Sequence, residues 1–452
     1  MTVENRNPWT GEVYRYSMMS PAAIEERLAA AERAFPVWSG LSLEARGACL
    51  RKVAAGLRQR KSELAHVVTA EMGKLHKEAL AEVEKCAAAC DYYADNAARY
   101  LREEDIATEA RRSYVAYEPI GCVLAIMPWN FPIWQVFRFL APTLMAGNVA
   151  VLKHATNVPR CADAIAAVLR EADLPDGVFG VLHMDNEQAA AVIGDPRIKA
   201  VTLTGSERAG RSVAATAGRH LKKCVLELGG SDPFVVLEDA DLDETVKAAV
   251  ASRYGNAGQT CIAAKRFILV AGIVERFTER FLAEAGKLLP GDPEARGSNL
   301  APMARADLRD GLHRQVSESL ARGARLLLGG KPGEKDTVYP ATVLAGVAPG
   351  MPAWEEELFG PVASLIRVRD EDEAMEVANA TSFGLGASVW TADPARGEAF
   401  ARRFAAGACF VNAQVRSDVR LPFGGTRNSG FGRELAGHGI HEFTNIKTLY
   451  VA

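Results

Sequence analysis

Val201-Thr202-Leu203-Thr204-Gly205-Ser206 is a short extended run that closes in a Gly-Ser turn and leads into a helix-patterned segment containing Gly210. It is one beat of a longer alternation. Val149-Ala150-Val151-Leu152 reads as extended, 159–172 as helical, 178–182 as extended, 187–193 as helical and Cys224-Val225-Leu226 as extended. Strand and helix patterns alternating in this way predict a parallel sheet with crossover helices, whose ligand site lies at the C-terminal ends of the strands. Lys153, the turn Thr204-Gly205-Ser206 and Glu227 all sit at such ends. A Gly-Ser turn at a helix N-terminus offers backbone N–H groups to a pyrophosphate, and a lysine reaches ribose hydroxyls or a phosphate. The spacing is not GxGxxG, so this turn alone does not identify a dinucleotide.

Working outward, a second α/β region runs over 233–412, with extended runs at 234–237, 267–270, 326–328 and 362–368. It contains Tyr254-Gly255-Asn256-Ala257-Gly258-Gln259-Thr260-Cys261, one cysteine in a loop of small and polar residues. A thiolate attacks carbonyl carbon well, and Gly258 lets a substrate approach closely, so Cys261 is the candidate nucleophile. Upstream, Val225-Leu226-Glu227-Leu228-Gly229-Gly230 places a carboxylate where a strand opens into a permissive loop. The two halves thus supply different partners, and clefts form between such halves. Before them, 21–101 reads as amphipathic scaffold helices, with Cys86 and Cys90 packing in a core. Tyr114-Val115-Ala116-Tyr117 and Cys122-Val123-Leu124-Ala125 are expected to form a strand pair. The end, Asn445-Ile446-Lys447-Thr448-Leu449-Tyr450-Val451, reads as an exposed strand that invites pairing with another subunit.

The chain has 452 residues, 48% of them hydrophobic, and a net charge of −3. That is enough for two or three buried domains. No basic excess or charge run suits nucleic acid or a membrane surface, and no basic-then-apolar leader opens the chain. Its 8 cysteines show no metal-ligand spacing, so no metal is expected. They suit a reducing cytoplasm.

Five motifs in order across the whole chain resemble the aldehyde dehydrogenase superfamily. They are Pro128-Trp129-Asn130-Phe131-Pro132, Glu227-Leu228-Gly229-Gly230, Gly258-Gln259-Thr260-Cys261, Glu357-Leu358-Phe359-Gly360-Pro361, and Phe423-Gly424-Gly425 with Ser429-Gly430-Phe431-Gly432-Arg433-Glu434. The wording around Lys153-His154-Ala155 and Cys261 is most similar to the shorter succinate-semialdehyde dehydrogenases. The resemblance implies an α/β fold with a Rossmann-type cofactor domain (1–102 and 120–229), an α/β catalytic domain (230–428) and a small β oligomerisation arm (103–119 and 429–452). It also implies homodimers or homotetramers and a small aldehyde as substrate.

By the same resemblance, Cys261 adds to succinate semialdehyde, the Asn130 amide and the Cys261 N–H stabilise the oxyanion, and the thiohemiacetal becomes a thioester. Glu227 is the general base for the hydrolysis that gives succinate. Trp129, Lys153, Thr156, Gly205, Ser206, Leu228, Glu357 and Phe359 are the implied cofactor contacts, Glu357 and Phe359 resembling the pair that holds the nicotinamide ribose and ring. Arg138 is eight positions past Asn130. Were both on one helix they would share a face, with Arg138 beside Trp134 holding the substrate's distal carboxylate and the loop Arg416-Ser417-Asp418 supplying further donors.

This sequence departs from relatives in four places. Many carry an acidic residue where it has Thr156. Without that carboxylate a 2′-phosphate meets no repulsion, so NADP is expected to be preferred and NAD accepted. The relay lysine, substrate arginine and second redox cysteine of some relatives would fall at Phe139, Gly255 and Ala263. Two other activities stay open. One is oxidation of another small aliphatic or carboxylated aldehyde. The other is a CoA-acylating reaction, against which the base at Glu227 counts.

Overall fold

The computed structural model describes residues 2–452, with Met1 outside the described residues. Val201-Thr202-Leu203-Thr204 ends the strand Ile198–Thr204, which lies between Cys122–Met127 and Lys223–Glu227 in a six-stranded sheet. On its other side Cys122–Met127 pairs with Val149–His154, and that strand pairs with Phe179–Val181, all in parallel. The chain therefore winds one way from Cys122–Met127 and then returns to that strand's other edge. At such a reversal the crossover helices leave to opposite faces and open a crevice at the strand C-termini. Here the crevice lies between Met127 and Thr204. Every residue of Val149–His154 is buried, as expected of a parallel strand covered on both faces.

The second half forms a seven-stranded sheet in the order Arg325–Leu328, Thr342–Ala345, Val362–Val368, Ala264–Val270, Asp232–Val236, Gly386–Trp390 and Ala408–Val411. All neighbours are parallel except the first pair. Each large sheet has its own hydrophobic core. The four helices Pro21–Ser39, Leu43–Gln59, Lys61–Met72 and His76–Tyr100 pack on the first, and Cys86 and Cys90 are both buried in the last of them.

The expected pair of 114–117 with 122–125 does not form. Arg112–Pro119 pairs with the terminal strand Thr444–Val451 and with Glu104–Asp105 in a separate three-stranded sheet, while Cys122–Met127 enters the large parallel sheet. The physical reason lies at Gly121, whose φ of +128° swings the chain away between the two strands. Among the described residues the terminal strand keeps an unpaired edge. No helix among the described residues is long and apolar enough to cross a membrane.

Candidate active site

Cys261 lies at the join of two cavities and lines both of them. The first, of about 260 Å³, fills the sheet crevice. Its walls include Trp129, Asn130, Gly205, Ser206, Glu357 and Phe359. The second, of about 330 Å³, runs between the helices His76–Tyr100 and Trp134–Met145 and the loop over 414–417. Lys85, Trp134, Arg138, Arg416 and Ser417 line it.

The nucleophile loop is held in a shape that its sequence disfavours. Asn256 and Ala257 both adopt left-handed backbone, with φ of +53° and +52°. Such residues persist only where their surroundings over-determine them. Arg253, fully buried, donates to the carbonyls of Gly258 at 2.8 Å, Gly360 at 2.9 Å and Ala264 at 3.1 Å. Lys265 donates to Cys261 O at 2.7 Å, and Asn256 Nδ2 donates to Asn130 O at 2.9 Å. At Gly258, with φ of +72°, a Cβ would run into the Gly360 carbonyl. The loop is thus pinned from both halves, which fixes where the thiol points.

Cys261 itself is half-buried because the cavities reach it, yet enough protein surrounds its sulfur that desolvation pushes the thiol up to about 12. Arg138 and Lys265 pull it the other way, more weakly. The candidate nucleophile therefore rests as a thiol, and attack on a carbonyl would require that its proton be taken. Glu227 ends the strand Lys223–Glu227, is 2% exposed, and has two side-chain oxygens with no hydrogen-bond partner among the described residues. Burial raises its carboxyl well above the ordinary range, against the pull of Arg138. An unengaged carboxyl tuned upward is the state that suits a general base. The glycine motif explains how it stays clear: at Gly424, φ +152°, a Cβ would come within 2.7 Å of Glu227 Oε1. Gly430–Phe431 pairs with Glu227 and Leu226, and Ser429 Oγ donates to Gly229 O at 2.7 Å. The glycine-dense tail therefore clamps the strand end that carries Glu227.

Asn130 is 4% exposed and spends one amide N–H on Gln259 O at 3.1 Å, leaving its second for an oxyanion. The Cys261 N–H makes no hydrogen bond among the described residues. The loop that carries Asn130 is set by His154. His154 Nε2 lies 2.8 Å from Pro132 O and its Nδ1 3.1 Å from Met127 O, so the ring ties this loop to the strand Cys122–Met127. Burial holds this imidazole down to about 4, hence neutral. Glu82, paired with buried Lys74, accepts from Ile133 N at 2.8 Å and Trp134 N at 3.0 Å and so caps the helix behind the loop. Sequence reading missed both. A buried lysine in the turn before a helix and a glutamate eight residues on within it carry no local signal.

The crevice suits a dinucleotide. Ser206 caps the helix Glu207–Arg219 through Ala209 N, and a Cβ on Gly205 would touch nothing closer than 3.8 Å, so the turn is open to a phosphate. Leu228 packs against Gly210, where even a Cβ would come within 2.6 Å of it. Glu357 accepts from Gly230 N at 3.1 Å and pairs with Lys265 at 3.3 Å, while Phe359 meets Trp129 edge-to-face at 5.8 Å. Lys153 Nζ donates to Asn186 Oδ1 at 3.3 Å, and Thr156 is exposed, its carbonyl accepting from Asn5 Nδ2 at 2.8 Å.

Arg138 differs from the expectation. The helix begins only at Trp134, so Asn130 precedes it in the loop and the shared-face argument does not hold. Asn130 lines the crevice and Arg138 the second cavity. Arg138 is 2% exposed and forms an ion pair with buried Glu434, donates to Thr204 Oγ1 at 3.2 Å and lies over the Phe423 ring. A charge this deep needs a permanent counter-ion, and the tail provides one.

Residues 1–449 match the aldehyde dehydrogenase family. The chain is 50% identical over 446 residues to the succinate semialdehyde dehydrogenase [NAD(P)+] of Escherichia coli (strain K12), covering 98% of this chain and 96% of that protein. It is 47% identical over 454 residues to the probable succinate-semialdehyde dehydrogenase [NADP(+)] of Synechocystis sp., covering both completely. The crystal structure of succinic semialdehyde dehydrogenase from Streptococcus pyogenes in complex with NADP+ superposes with a TM-score of 0.97 at 37% identity over 99% of each chain. With its five motifs meeting around one pinned cysteine, the chain belongs to the aldehyde dehydrogenase family.

Proposed function

We propose that this protein oxidises succinate semialdehyde to succinate with NADP, and less readily with NAD. The carrying observation is that Cys261 faces a dinucleotide-shaped crevice on one side and, on the other, a cavity edged with cations. The names of the relatives support the substrate and the cofactor, and the missing carboxylate at Thr156 supports the preference for a 2′-phosphate.

In this reading Cys261 Sγ bonds to the aldehyde carbon as its proton leaves to solvent through the cavity. The free Asn130 N–H and the Cys261 N–H take the developing oxyanion. Glu357, Phe359, Trp129 and Leu228 hold the cofactor's nicotinamide end, and Gly205, Ser206, Lys153 and Thr156 its pyrophosphate and adenosine end. When bound, the nicotinamide supplies the hydride acceptor that turns the thiohemiacetal into a thioester. Glu227 then takes a proton from water as that water attacks the thioester and passes it to the departing Cys261 sulfur, which releases succinate and returns the thiol.

The chain divides into a cofactor domain over 1–102 and 120–229, a catalytic domain over 230–428 and an oligomerisation arm over 103–119 and 429–452, and this division belongs to the proposal. So does a homodimer or homotetramer built through the unpaired edge of Thr444–Val451. Eight free cysteines with no disulfide among them support a cytoplasmic setting. The test is a steady-state panel of aldehydes against both cofactors. Highest kcat/KM for succinate semialdehyde with NADP is expected, and an uncharged aldehyde turned over equally well would refute the substrate assignment.

A further inference from the structure

Three cations line the substrate cavity, and they are not equivalent. Arg138 is committed to Glu434 at the buried end. Arg416 is exposed at the rim. Lys85 lies between these extremes, half-buried, with no carboxylate partner within 4.0 Å among the described residues. The carboxylates that line the cavity from its helix are already engaged: Glu82 pairs with Lys74, and Glu78 accepts from Asn256 N at 3.0 Å. Glu78, Ala81, Glu82 and Lys85 follow an i, i+3, i+4, i+7 spacing, which turns one face of His76–Tyr100 to the cavity.

The ammonium of Lys85 sits 4.1 Å from the centroid of the Trp134 ring and donates to Ser417 Oγ at 2.6 Å. One N–H is spent on the serine, and the ring face takes up another part of the charge. At least one N–H remains, and because Ser417 accepts from the lysine its own O–H is free to donate. Two donors held side by side on one wall match the two oxygens of a carboxylate.

We propose that Lys85, with Ser417, holds the distal carboxylate of the substrate and sets the preference for carboxylated over uncharged aldehydes. The inference rests on the reading that succinate semialdehyde is the substrate. It moves the specificity role from Arg138 to a residue on the opposite helix. Trp134 walls the chain between the two ends, so an aldehyde at Cys261 and a carboxylate at Lys85 share one cavity.

The charges facing Lys85 fit this role. Glu82 and Cys86 lie on its own helix, Arg138 on Trp134–Met145 and Asp418 on the loop beyond Ser417. Burial and Arg138 outweigh the acidic neighbours and hold the ammonium down to about 8. A bound carboxylate supplies the missing counter-ion.

The experiment compares kcat/KM for succinate semialdehyde and butanal across a pH series in the wild-type enzyme, Lys85→Gln and Lys85→Arg. The ratio of the two cancels the titration of Cys261 and Glu227, which both substrates share. In wild type this ratio is expected to fall as pH rises past about 8. In Lys85→Gln it should be about 10- to 100-fold lower at neutral pH and flat with pH, the loss lying in KM. Lys85→Arg should recover most of the ratio and keep it to higher pH. A wild-type ratio that is high but flat with pH, or that survives Lys85→Gln, would overturn the Lys85 assignment alone. Absence of any wild-type preference for succinate semialdehyde over butanal would overturn the substrate reading and this inference with it.

Discussion

Replacing Arg138 with leucine should cost stability first and catalysis of every substrate second. The guanidinium is 2% exposed and its partner Glu434 is 4% exposed, so Arg138→Leu strands a carboxylate that burial already disfavours. Breaking one side of a buried pair typically costs about 3–5 kcal/mol. For a domain of this size about 2–4 °C of Tm goes with each kcal/mol, so a fall of about 6–20 °C is expected. Glu434→Leu in the same chain removes the stranded charge, and the double variant should regain most of that loss.

The pH dependence has a definite sign. Without Arg138 the folded-state pKa of Glu434 lies further above its unfolded value. The stability deficit is therefore small at acid pH, where the carboxyl is protonated, and grows as pH rises through and above the ordinary carboxylate range. Arg138 is also the strongest positive influence on both Glu227 and Cys261, so its loss should slow succinate semialdehyde and butanal alike. Thermal melts of the wild type, both single variants and the double variant, at acid and neutral pH, measure this. A Tm within about 2 °C of wild type for Arg138→Leu, or a double variant no better than the single, would refute the argument.

Cys261→Ala should abolish turnover while the titrated affinity for NADP stays near wild type, and residual turnover above trace level would remove the nucleophile assignment. Glu227→Gln should keep a first-turnover burst of reduced cofactor and then deacylate slowly, as read by stopped-flow absorbance. Loss of the burst as well would place Glu227's main role in taking the thiol proton. In wild type the deacylation rate should rise with pH through a carboxyl pKa above the ordinary range, because burial raises Glu227, and that rise should be missing in Glu227→Gln. Thr156→Glu should shift the NADP/NAD ratio of kcat/KM toward NAD, since a carboxylate accepts from a 2′-hydroxyl and repels a phosphate. An unchanged ratio would mean that this position does not read the 2′ group.

The residues whose roles are local were legible from the sequence. Runs such as Val149-Ala150-Val151-Leu152, bounded by helical stretches, predict parallel strands because burial on both faces demands unbroken apolar sequence. Gly258 read as a point of close substrate approach, and the structure packs the Gly360 carbonyl there instead. Cys261 and Glu227 stood out as reactive types in permissive loops beside strand ends.

Pairings between distant segments were decided only by tertiary structure. Tyr114–Tyr117 and Cys122–Ala125 both became strands, but which edge each met depended on Thr444–Val451 arriving from the other end of the chain. Arg138 read as a free cation because nothing near it in sequence is acidic. Its counter-ion Glu434 stands at the other end of the chain, in the tail that also braces Glu227. Lys85 read as part of a packed helix because Ser417 lies 332 positions away, on a loop that folding lays across that helix face. Backbone preference and burial pattern act over a few residues and survive in one dimension. Charge pairing in a low-dielectric interior depends on distances that only the folded chain sets.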